Sequence, residues 1–242
     1  MDIGEEMISA GAEVHRVEQS VSSMCRACGA EDVDVFIIPT SMIVTVCTSD
    51  GERYTQTKRM LSSAVDYERL HRLNQLSREI CATPMTEKEM RAALQQISRA
   101  ARYPFWLTLL TAAVIAAAFT VFFGGGLVET VVSFFIALAA RLGMVGADSL
   151  VKGRIFSRFA STVIASLLSF AAVGIGVVSD VDKIMIGNIM TLIPGLGLTN
   201  ALRDLFSGDS IAGLWRTVES LLIAIGIAAG YVLVASIGGM LI

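Results

Sequence analysis

Five stretches of this chain are long and apolar enough to cross a bilayer, and no other feature constrains its fold as tightly. The hydrocarbon core of a membrane is about 30 Å thick, which a helix of about 20 apolar residues can span. Residues 104–123, 127–146, 159–178 and 220–241 reach that length. A fifth stretch, 184–202, carries no charge but is interrupted by Pro194-Gly195-Leu196-Gly197. Soluble core helices seldom run so long without a charge. The composition agrees, with 54% apolar residues and a mean hydropathy of +0.65. Charge is unevenly divided: residues 1–102 hold 12 of the 19 Lys+Arg and 15 of the 22 Asp+Glu. The expected architecture is therefore an α-helical multi-pass membrane protein. An N-terminal α+β cytosolic domain, 1–102, precedes a transmembrane domain, 103–242. The net charge of -3 argues against nucleic-acid binding. The opening Met1-Asp2-Ile3-Gly4-Glu5-Glu6 has neither a basic nor an apolar leader region, so the first membrane helix is expected to act as the insertion signal.

Loop charge predicts an orientation. Residues 124–128 carry no Lys or Arg, whereas 147–157 carry Lys152 and Arg154, flanked by Arg141 and Arg158. The next connection, 179–183, is acidic at Asp180 and Asp182 with only Lys183, and 203–216 is basic at both ends. With Arg91, Arg99 and Arg102 before the first span, basic and poor segments alternate. The positive-inside rule then places the N-terminus in the cytosol and the C-terminus outside.

In the polar half, Ile3, Met7, Ala10, Val14, Val17, Val21, Met24 and Cys28 recur at alternating steps of four and three, which predicts one long amphipathic helix ending near Gly29. Residues 33–38, 42–47 and 53–58 read as strands, with Asp50-Gly51 as a turn. Residues 66–81 and 86–102 read as helices separated by Pro84, the second capped by Thr86 with Glu89 and continuing towards the membrane.

Few residues here suggest chemistry. Cys25 and Cys28 form a C-x-x-C pair, but a structural zinc site needs a second such pair or two histidines, so buried reduced thiols are expected and no metal or cofactor. His15 and Glu18, three residues apart, are candidates for gating beside the ordinary alternative of surface contacts. No nucleophile motif or phosphate-binding glycine loop is present, so an enzyme is not expected. The rival readings are a hydrolase anchored by its membrane half, and a sensor or assembly protein.

Charges within spans are functional candidates because they are costly. Arg141 falls inside the second window, with Glu129 and Asp148 towards its ends, and Glu219 opens the last, three residues after Arg216. The alternatives are snorkelling for Arg141 and an interfacial ion pair for Glu219 with Arg216. In the interrupted stretch, Asn188, Thr191, Gly195 and Thr199 fall near one helical face, and Pro194 frees backbone groups in mid-span. Such groups are tolerated where they are buried in protein or line a wet cavity, and transporters bind substrate at broken helices. A kink used only for packing is the alternative. A side chain in place of Gly195 is expected to fill the opening. Gly226 and Gly230 form a G-x-x-x-G packing face that calls for another helix to cover it.

Two motifs carry a resemblance. Gly11-Ala12-Glu13-Val14-His15-Arg16-Val17-Glu18 is the first; Pro194-Gly195-Leu196-Gly197-Leu198-Thr199-Asn200-Ala201-Leu202-Arg203-Asp204, with Ser207-Gly208-Asp209 and Glu219, is the second. Together they resemble the threonine/serine exporter family, over essentially the whole chain. Full-length members have about twice as many spans, so the chain is similar to the longer half of the split type, which works with a separate, shorter membrane subunit. The resemblance implies a secondary exporter in the bacterial cytoplasmic membrane for threonine, serine or a C4-dicarboxylate such as succinate, with self-association left open. Since all these solutes bear a carboxylate, it casts Arg141 and the backbone N–H groups after Pro194 as anion partners. Asn188, Thr191, Thr199 and Asn200 would be neutral hydrogen-bonding groups, and Glu129, Asp148 and Glu219 proton-coupling candidates.

Overall fold

The computed structural model describes residues 1–60, 65–83, 85–100, 103–151 and 153–238. Pro84, Arg102, Lys152 and the end of the last expected span, 239–241, lie outside them. The chain forms two compact units, one of Met1–Ala101 with Gly197–Thr217, the other of Arg102–Leu196 with Val218–Ile242.

The first unit contains α1 (Asp2–Ser9), α2 (Val14–Ala27), the strands β1 (Asp32–Ile38), β2 (Ser41–Cys47) and β3 (Arg53–Arg59), then α3 (Tyr67–Ala82) and α4 (Glu87–Arg99). The strands form an antiparallel sheet in the order β1-β2-β3, with Val35 opposite Val44 and Val44 opposite Gln56. The apolar seam is buried as expected from Ile3 to Met24, against Met42, Leu73 and Ile80. It is not one helix, however. Gly11 takes φ +94°, its N–H donates to Ile8 O, and the Ala12 N–H donates to Met7 O, which closes α1. Glu13 is then extended before α2. Cys28, expected on the buried seam, is exposed, because α2 ends at Ala27 before another apolar turn can form. All four cysteines are free thiols. The capping box of Thr86 and Glu89 is present, with the Thr86 N–H donating to Glu89 Oε2 at 2.7 Å. Its helix stops at Arg99, since Ala100 adopts ψ 134° and turns the backbone extended.

The second unit is built from α5 (Phe105–Phe122), α6 (Leu127–Leu150), α7 (Arg154–Gly174), α8 (Val181–Met190) and the larger part of α10 (Ser210–Gly238). Between α8 and α10 lies α9 (Gly195–Phe206), bent 51° from α8. Among the described residues four helices are long and apolar enough to cross a membrane, five if the bent pair counts as one span. Their outer faces are apolar, with Trp106, Phe122, Leu127, Phe135, Ile225 and Val232 all exposed, as lipid contact requires.

The boundaries shift from expectation where charges find partners. The second span runs on to Leu150, and the third starts at Arg154, taking Arg154 and Arg158 into the helix. It ends at Gly174, because Gly176 takes φ +74° and the Val177 N–H donates back to Ala172 O. The segment expected as a basic loop, 203–216, is mostly helical, with only residues 207–209 between α9 and α10.

Small residues permit close packing in this unit. A Cβ at Gly187 would lie 2.8 Å from Ala116 O of α5. Gly226 and Gly230 face α7, where a Cβ would meet Ile155 Cγ2 at 3.1 Å and Phe159 O at 2.9 Å. The G-x-x-x-G face is therefore covered within this chain and does not call for another subunit. A Cβ at Gly195 meets nothing within 4 Å, so a side chain there would enter open space.

In the first unit the second family-like motif meets the first. Asp204, 1% exposed, accepts from Arg216 Nη1 at 2.7 Å and from the Val14 N–H. Arg216 Nη2 also donates to Ala12 O at 2.9 Å, and Glu13 pairs with Arg203 at 2.5 Å. Arg216→Ala leaves the Asp204 carboxylate buried without its counter-charge, and should destabilise this unit by about 3–5 kcal/mol. Arg203→Ala, removing an exposed, solvent-screened partner, should cost far less. Denaturant unfolding of the purified variants, followed by circular dichroism, compares the two; equal losses would contradict the burial argument.

Candidate functional site

The helix break sets the site. After α8 ends at Met190, residues 191–194 are non-helical before α9 begins at Gly195, since Pro194 has no N–H to continue the ladder and its ring crowds the preceding turn. Local groups are re-satisfied by neighbours. Thr191 Oγ1 donates to Asn188 O at 2.7 Å, the Leu192 N–H donates to Ile189 O at 2.8 Å, and Arg158 Nη1 donates to Leu192 O.

Beside this break, within the second unit, lies a cavity enclosing about 390 Å³ of empty space including its open mouth. Its polar lining comes from Arg141 of α6, Arg158 and Ser161 of α7, Asn188 of α8 and Thr191; alanines 112, 137 and 140 leave the room. Asn188 is 2% exposed. Its Nδ2 donates to Ser133 Oγ and Ile184 O, both at 3.0 Å. The Ile184 carbonyl can only accept, which fixes the amide orientation and leaves Oδ1 as an acceptor. That Oδ1 has no partner among the described residues. Ser133 Oγ is in turn 2.7 Å from Thr120 Oγ1, so a buried chain of hydrogen bonds holds the amide in place.

Arg141 is held differently. Its Nη1 makes only a weak contact to Met144 Sδ at 3.7 Å, and its Nε is buried without a partner among the described residues. It lies 9 residues before the end of α6 at Leu150, so its helix continues well beyond it. Two residues that line one cavity thus carry an unmet donor on a cation and an unmet neutral acceptor. Leaving such groups unpaired costs about 1–3 kcal/mol each, which a bound anion with a polar group could recover.

The structure brings together three of the residues singled out in the sequence, namely Arg141, Asn188 and Thr191. The bend takes the face they were expected to share off its helical course, and Gly195, Thr199 and Asn200 are not in the lining. Glu129 stands in the first turn of α6, and Asp148 is exposed near that helix's end. Glu219 pairs with Arg154 at 3.0 Å, not with Arg216, whose carboxylate partner is Asp204. In the first unit His15 is exposed, while Glu18 accepts from the Ile37 N–H at 3.0 Å. Burial raises the Glu18 carboxyl above its ordinary range, against the Ile37 hydrogen bond and with the Asp209 charge adding to it. Arg158 and Ser161 are the polar lining residues that sequence reasoning missed. The signal for Arg158 was its position one residue before an apolar window, where it read as loop charge.

A family model described as "Putative threonine/serine exporter" matches residues 1–238. The "Probable succinate transporter subunit YjjP" of Escherichia coli K12 is 24% identical over 241 residues, covering 97% of this chain and 91% of that protein. Its namesake in Klebsiella aerogenes is also 24% identical, covering 97% and 90%. The "Threonine/serine exporter" of Corynebacterium glutamicum is 25% identical over 238 residues, which is 94% of this chain and 48% of that one. No solved structure matches. With the match running from the first helix through α10, the chain belongs to the threonine/serine exporter family.

Proposed function

We propose that this chain is one subunit of a secondary exporter that moves a small carboxylate-bearing solute, threonine or serine or a C4-dicarboxylate, out across the bacterial cytoplasmic membrane. The carrying observation is the cavity at the broken span, lined by Arg141 and Asn188, two residues that each hold a buried polar atom, Nε and Oδ1, without a partner among the described residues. A carboxylate on Arg141 makes charge-assisted hydrogen bonds, strengthened by the low dielectric around it. Asn188 Oδ1 and Thr191 then select the polar remainder of the solute. The half-buried Glu129 and Glu219, with Asp148, are the groups we assign to proton coupling; Glu18 and His15 are assigned to gating from the cytosolic domain. The names of the relatives support both a carboxylate solute and a subunit role. A shorter membrane subunit completes the transporter.

Flux of radiolabelled threonine, serine and succinate from proteoliposomes tests this. The co-reconstituted pair should export at least one of them, and this chain alone should export none. A hydrogen bond to a charged group is worth about 1.5–3 kcal/mol, so Arg141→Lys, which keeps the charge but loses the guanidinium fork, should reduce flux by about 10- to 100-fold. Asn188→Ala should reduce it severely while leaving assembly intact. Normal flux in both variants would move the site elsewhere.

Orientation is the second part of the proposal. With the N-terminus inside and the C-terminus outside, single cysteines at Gly125 and Val181 should react with an impermeant maleimide on intact cells. Those at Gly153 and Ser210 should react only after permeabilisation. Labelling at Gly153 from outside would reverse the topology.

A further inference from the structure

Arg158 is the cavity residue to which the carboxylate reading gives no task. Its Nη1 donates to the carbonyl of Leu192, inside the break between α8 and α9, where carbonyls lose the regular donors of an unbroken helix. This cap ties α7 to the break and fixes its shape. It uses one edge of a planar fork whose other N–H groups can still receive an anion. Arg141 lines the same cavity, and no Asp or Glu is among the described lining residues. Two guanidinium charges in a low-dielectric space with no acid between them repel each other. A dianion neutralises both. A zwitterion neutralises one and places a third cation beside the other, where Asn188 Oδ1 offers it only a neutral dipole.

We propose that Arg158 is an exchangeable second anion anchor: it caps the Leu192 carbonyl while the cavity is empty, and a solute with two carboxylates draws it off, which releases the break and selects dianions over zwitterions. This rests on the carboxylate reading of the same cavity. Once Arg158 leaves, water in the open cavity can serve the Leu192 carbonyl, so the exchange strands no buried group. Binding and loosening of the span thereby become one event.

The test is calorimetric titration of the full-length chain in lipid nanodiscs, with succinate and serine as probes. Wild type should bind succinate about tenfold or more tighter than serine. Arg158→Gln keeps a neutral donor but loses the charge. It should weaken succinate binding by about tenfold or more and serine binding by less than about threefold. Arg158→Lys, a second variant should the first not fold, should lose part of the succinate affinity and none of the serine affinity. Hydrogen exchange over residues 189–198 gives a readout independent of affinity: succinate should speed it in wild type and leave it unchanged in Arg158→Gln. A wild-type preference for serine, or equal weakening of both solutes in Arg158→Gln, overturns this inference and leaves the carboxylate site standing. If wild type binds neither solute, the carboxylate reading itself fails and this inference fails with it.

Discussion

A backbone carbonyl without a donor costs several kcal/mol in hydrocarbon, and Pro194 forces that situation on the middle of an apolar stretch. The arrangement around it follows from how the chain meets that cost. Arg158 reaches from α7 to the Leu192 carbonyl, the Thr191 hydroxyl takes the Asn188 carbonyl, and the Asn188 amide is anchored on Ile184 and Ser133. The residues that mend the break are largely the residues that line the cavity. In the proposed function the polar residues that satisfy the broken helix also receive the solute, so structural repair and solute recognition fall to neighbouring atoms of one cluster.

Room for a solute depends on small side chains in two opposite roles. Gly187 lets α8 approach α5 closely, and Gly226 and Gly230 let α10 approach α7, so these contacts leave no space. Ala112, Ala137 and Ala140 are also small, but they line the cavity together with Arg141 and Asn188. Ser161 and Thr120 satisfy their hydroxyls on neighbouring backbone, at Ala140 O and Ala116 O, which allows polar residues to sit in an apolar helix pack at little cost.

Much of this was legible in the sequence because its strongest signals are physical and local. Runs of apolar residues mark candidate spans, Thr86 and Glu89 mark a cap, and Pro194 marks a break. The errors arise where one residue or one distant partner decides. Gly11 splits an apolar seam that otherwise reads as a single helix, since periodicity does not reveal a positive φ. Arg158 reads as a loop charge until the Leu192 carbonyl, 34 positions away, is seen to hold it within α7. Asp204 and Arg216 fall in a stretch that reads as a basic loop, yet they pair in a buried contact against Ala12 and Val14. Contacts of this length leave no periodic trace in one sequence, which is why Arg141, Asn188 and Thr191 could be picked out while Arg158 and Ser161 could not.

Solute is proposed to occupy the cavity beside Pro194, and site-directed alkylation measures that directly. Ala112 lines the cavity through α5 and makes no side-chain hydrogen bond, so a cysteine there reports access without disturbing the polar network. In a chain whose four native cysteines are replaced by serine, Ala112→Cys should react with a small membrane-permeant maleimide. The exported solute should protect it in a saturable manner, at concentrations matching those that saturate transport. Full reactivity of Ala112→Cys during saturating transport would contradict the account.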